Sequence, residues 1–92
     1  MLLASRSHTA GDTRKWTVAY GRLLANTTIA AVEILTDSDT CTIQDTPVVL
    51  GTDVEFFLTG GEVGERVTVA LKMTDGRGNV KNDTMKFSVV AP

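Results

Sequence analysis

The 92 residues fit one domain and leave no room for a second. Hydrophobic residues at 42% and charged residues at 22% are ordinary globular proportions, which excludes disorder throughout. A net charge of −2 gives no basic footprint for nucleic acid and no polybasic face for a membrane, and no apolar stretch reaches the length of a membrane span.

Residues 1–13 mix small, polar and basic groups with neither a strand nor a helix period, and read as a flexible N-terminal arm ahead of a folded body over 14–92. The apolar run of Met1, Leu2, Leu3 and Ala4 stops short of a signal-peptide core, and Arg6 follows it. Residues 15–20 alternate and place Trp16, Val18 and Tyr20 on one face. Leu23, Leu24 and Ala25 suit a helical turn, which Asn26-Thr27-Thr28 ends too soon for a helix. A second strand over 28–35 turns Ala30, Val32 and Ile34 inward, with Ala31 and Glu33 outward. Asp37-Ser38-Asp39 is turn chemistry, because short polar side chains bond their own backbone.

A third strand follows over 40–44, Pro47 marks a break or an edge, and Val48-Val49-Leu50 is a short apolar run ended by Gly51. Residues 53–58 alternate again, with Val54, Phe56 and Leu58 on one face and Phe57 on the other. Thr59-Gly60-Gly61-Glu62-Val63-Gly64 is a loop whose glycines permit positive φ. Val67, Val69, Leu71 and Met73 then mark a clear strand, Asp75-Gly76-Arg77-Gly78-Asn79 a hairpin loop, and 80–90 a last strand with Met85, Phe87 and Val89 inward. Lys81, Asp83 and Lys86 suit a strand edge that resists aberrant pairing. Six to seven short strands with regular turn signals predict an all-β, immunoglobulin-like antiparallel β-sandwich.

Candidate chemistry is sparse. His8 is the single histidine, and a mobile arm does not hold it rigidly beside catalytic or metal-binding partners. Cys41 is the single cysteine; no disulfide forms within the chain, which points to a reducing compartment or to a bridge-free particle protein, and mid-strand it reads as a small buried hydrophobe. Asp37, Asp39 and Asp45, and the Asp75-x-Arg77-x-Asn79 spacing, fit turns better than a calcium loop, since Arg77 is misplaced and no distal glutamate follows. The glycines of 60–64 lack the lysine and helix of a phosphate loop. Trp16 suits the core, and 5% aromatics argues against a stacking platform for sugars or single strands. The triplets at Asn26 and Asn82 match glycosylation acceptors but, without secretion, read as chance.

No catalytic, cofactor-binding or metal residue is therefore assigned, and the chain is expected to dock other proteins without catalysing a reaction. The contacts expected are the outward Phe57, the loop residues Gly60, Gly61, Glu62, Val63 and Arg66, and Arg6 and His8 in the arm.

Trp16-Thr17-Val18-Ala19-Tyr20-Gly21, the stretch 24–30, the run 57–69, Asp75-Gly76-Arg77-Gly78-Asn79 and the closing Phe87-Ser88-Val89-Val90 together resemble the phage fibre-tail adaptor family over roughly residues 14–90. The segment from Asp37 to Asp45, with Cys41, departs from the family pattern. The resemblance implies a virion structural protein, present in multiple symmetric copies and joining other virion proteins of tail, fibre or capsid after assembly in the host cytoplasm. A capsid decoration (cement) protein, or a carbohydrate-binding or adhesin module, would use the same kind of domain.

Overall fold

Alternation of apolar and polar residues sets the architecture, and the computed structural model describes it for residues 1–21, 24 and 27–92. Seven strands occur among the described residues: β1 (Leu2–Thr9), β2 (Thr13–Ala19), β3 (Ile29–Thr36), β4 (Cys41–Leu50), β5 (Asp53–Gly60), β6 (Arg66–Asp75) and β7 (Val80–Val90). They form a four-stranded sheet in the order β1-β7-β6-β3, facing a three-stranded sheet in the order β2-β5-β4. This is an immunoglobulin-like sandwich with a first strand added beside the last. The helical turn expected at Leu23 and Ala25, and the acceptor Asn26, lie outside the described residues.

The core lies between the sheets. Val54, Phe56 and Leu58 of β5 are buried against Val67, Val69, Leu71 and Met73 of β6 and Met85, Phe87 and Val89 of β7. Their burial stabilises the fold at roughly 25 cal/mol per Å² of apolar surface. Cys41 is also fully buried, as its strand position suggested.

Four expectations change. The N-terminal arm is strand β1, paired in parallel with β7 from Leu2↔Thr84 to Thr9↔Val90, so the sandwich is not wholly antiparallel. Ala30 is exposed, because a register shift between Ile29 and Ala31 puts Ile29 inward instead. The strand expected over 40–44 and the apolar run 48–50 are one edge strand, β4, with Pro47, as its position suggested, in the bulge between Gln44 and Val48, where Asp45 takes φ 61°. Finally, β7 is flanked by β1 and β6, so Lys81, Asp83 and Lys86 do not guard an edge.

Asp83 instead points inward and is buried, with Lys81 Nζ at 3.6 Å and the Met1 amino group at 3.5 Å from its Oδ1. Tyr20 is fully buried too, and its hydroxyl has no hydrogen-bond partner among the described residues. Burial, helped by the Asp83 carboxylate, pushes the Tyr20 phenol up from 10.0 to about 12. Because the folded value is the higher one, the neutral phenol contributes stability in full below pH 10.0 and loses it as pH rises through about 12. Tyr20→Phe should therefore leave neutral-pH stability unchanged or slightly improved and move alkaline unfolding to higher pH, followed by far-UV circular dichroism. An unchanged alkaline midpoint would count against this role for the phenol.

Candidate docking surfaces

The outer face of the β2-β5-β4 sheet is built by cross-strand rows. Register places Lys15, Phe57 and Gln44 side by side, then Thr17, Glu55 and Val48, then Ala19, Asp53 and Leu50. Phe57 is 40% exposed, Val48 50% and Leu50 54%, so three large apolar side chains stand outward on one rigid face. Lys15 and Glu55 form an ion pair at 3.4 Å, which at this exposure contributes under about 1 kcal/mol and mainly orders the surface. The outward position of Phe57 follows from strand parity. Val48 and Leu50 were legible only as an apolar run, and the bulge that turns them outward was not.

The loop between β5 and β6 is held by the backbone. Gly60 N–H donates to the Asp12 carbonyl at 3.0 Å, Gly61 N–H to Thr40 at 2.9 Å and Gly64 N–H to Val89 at 2.9 Å. Ser38 and Thr40 hydroxyls both donate to the Glu65 carboxylate, tying this loop to the β3–β4 turn. Those donors, Ser38 first and then Thr40, hold the Glu65 carboxyl below its ordinary value. Glu62 and Val63 are exposed at the loop's tip, while Gly60 and Gly61 are half-buried beneath it. Arg66 is exposed at the start of β6, beside Ser88 on the outer face of the other sheet. The expected contact residues thus do not form one site: Phe57 occupies one sheet face, and Arg66 with the loop occupies an end and the opposite face.

His8 is not available for docking. It is fully buried opposite Val89, with Nε2 3.2 Å from the Asp12 carbonyl oxygen. Arg6 remains exposed, on the core-facing side of β1 at the open flank of the sandwich. There the two sheets part, leaving a cleft of about 270 Å³ lined by Leu3, Ala4, Arg6, Trp16, Thr17 and Met85, among others. Trp16 is half-buried rather than fully enclosed; it meets Phe87 edge-on at 4.9 Å and carries the Arg14 guanidinium over its ring at 4.8 Å.

The outer face of the four-stranded sheet carries a further row, Leu2, Thr84, Ala70 and Leu35, beside a shallow groove of about 280 Å³. The acidic turns serve the backbone: Asp37 Oδ1 accepts from Thr68 N–H, and Asp75 Oδ1 accepts from the Arg77 and Asn79 N–H groups, each at 2.9 Å. Among the described residues, no three His, Cys, Asp or Glu side chains gather as a metal site.

Comparison with known proteins agrees with this architecture. Among solved structures, the chain resembles part of MfFcnA4, an endo-fucoidan hydrolase from glycoside hydrolase family 107, with a TM-score of 0.57 and 15% identity. The match covers 99% of this chain but 13% of that one, and at such identity it speaks for the fold alone. No curated protein matches the sequence. Residues 8–88 match the family described as the podophage GP4 fiber-tail adaptor protein gp77, from the buried His8 of β1 to Ser88 of β7. With β2 to β6 and most of β7 inside that match, the chain belongs to the podophage fibre-tail adaptor family, structural proteins of the phage virion.

Proposed function

We propose that this chain is a non-enzymatic tail component, assembled in the host cytoplasm and arranged in several symmetric copies. It docks larger virion proteins through the outer face of the β2-β5-β4 sheet and the loop tip at Glu62 and Val63. The observation that carries the docking assignment is the group Phe57, Val48 and Leu50, outward on strands whose backbones are fixed by ladder hydrogen bonds. Rigid presentation of apolar side chains avoids the ordering entropy that a loop would lose on binding. A standard contact covers about 800 Å² per partner, so two such contacts would engage a large share of the chain's 5424 Å² surface.

Phe57→Ala tests this. Its ring faces solvent, so the substitution should lower stability by no more than about 1 kcal/mol. As an interface anchor it should weaken docking by about 2 kcal/mol or more, roughly 30-fold in affinity. Quantitative mass spectrometry of purified particles reads both points: wild-type copies at tail numbers, a few to tens, and a deep loss for the variant. Undiminished incorporation of Phe57→Ala, or wild-type copies in the hundreds as on a capsid shell, would overturn the assignment.

A further inference from the structure

We infer that the cleft between β1 and β2 is a receptor for an extended, acidic segment of another virion protein. This deepens the adaptor reading and rests on it. β1 and β2 are the terminal strands of their respective sheets, so each presents a free backbone edge on the same flank. Between them the core is left partly open, with Leu3, Ala4 and Met85 among the lining residues. An added strand is the general way such edges are satisfied: the backbone supplies affinity, and alternate side chains enter pockets along it. The cleft's volume of about 270 Å³ falls below the roughly 300–1,000 Å³ typical of small-molecule sites. It suits one or two side chains of a longer segment.

The charge of the occupant follows from the groups already there. None of the residues lining the cleft is acidic. Arg6 lies on its wall, and Arg14 stacks on the Trp16 ring at 4.8 Å. Among the described residues, neither arginine has a carboxylate within ion-pair distance; Arg6 donates only to the neighbouring Ser5 carbonyl at 2.9 Å. Among the described residues, the buried Trp16 indole N–H lacks an acceptor. Two guanidiniums without a carboxylate and this N–H make the flank a cluster of donors. A strand bearing Asp or Glu on one side and small apolar residues on the other complements all of them.

Two measurements test the inference. In complete particles, Ala4, half-buried on the core-facing side of β1 and lining the cleft, is replaced by the photo-crosslinker p-benzoylphenylalanine, and Lys72 on the far sheet face is replaced likewise in a second variant. The Ala4 variant should yield an adduct with an acidic stretch of a different virion protein, and the Lys72 variant should not label that stretch. An adduct with a second copy of this chain, with a non-acidic segment or with nothing overturns the inference while leaving the adaptor reading standing. Absence of the chain from the particles overturns both. In solution, Trp16 is the chain's single tryptophan and reports directly. An acetylated, amidated hexapeptide alternating Asp and Val should change its fluorescence saturably, and a Lys/Val counterpart should not. The Arg6→Glu, Arg14→Glu double variant should weaken the Asp/Val response at least 10-fold. Equal responses to the two peptides, or an unaffected double variant, refute the inference.

Discussion

Gly60→Ala should destabilise this protein by about 3–5 kcal/mol, a large part of the roughly 5–15 kcal/mol that holds a small domain together. Gly60 has φ 88°, a region where an L side chain carries about 1–3 kcal/mol of strain. Its added Cβ would also be driven into the Thr40 carbonyl oxygen, a backbone atom far inside van der Waals contact. Neither backbone segment yields easily. The Thr40 carbonyl accepts from Gly61 N–H, and Gly60 itself exchanges bonds with Gly11 and Asp12 at 3.1 and 3.0 Å. Moving them breaks hydrogen bonds worth about 0.5–1.5 kcal/mol each. Gly64→Ala is the internal control: its φ is 89°, but the new Cβ meets nothing within 4 Å, so only the same strain of about 1–3 kcal/mol applies. Urea unfolding of both variants decides the matter, and equal losses would show that the clash with Thr40 contributes little.

Phe87→Ala should cost about 3–5 kcal/mol and lower the melting temperature by more than ~10 °C. Phe87 is buried on β7, an interior strand of its sheet, and makes a T-shaped contact with Trp16 from the facing sheet. Truncation opens a cavity between the sheets that flanking strands, fixed by ladder bonds on both sides, cannot close. The same variant should red-shift Trp16 emission, because the indole loses the ring it packs on. Val90→Ala, three residues on and exposed, should change stability by about 0.5 kcal/mol or less. Thermal melts of the pair that overlapped would mean that the Phe87 site collapses freely.

Strands buried on one face were legible from alternation alone. Val67, Val69, Leu71 and Met73, or Val54, Phe56 and Leu58, leave no doubt about which side meets the core, and Phe57 is placed outward by the same parity. β1 was illegible for a physical reason. Its core-facing positions Ala4, Arg6 and His8 lie along an open flank, where the interior is thin enough to admit small and polar side chains, so no apolar alternation marks them. Ala30 was misplaced, and the continuity of β4 across Pro47 missed, because irregular registers shift inside and outside without altering composition. The docking surfaces were visible to the same extent. Phe57 and the glycine loop are local features of the sequence. The cleft beside Trp16 exists only because β1 pairs with a strand some eighty residues away.

The parallel pairing of β1 with β7 also fixes how the domain carries load. Tension applied through the start of β1 and the end of β7 slides the two strands lengthwise against each other. Their inter-strand bonds, from Leu2↔Thr84 to Thr9↔Val90, then bear the pull together instead of opening one after another like a zip. In an adaptor pulled at both ends, the first and last strands would act as a lap seam.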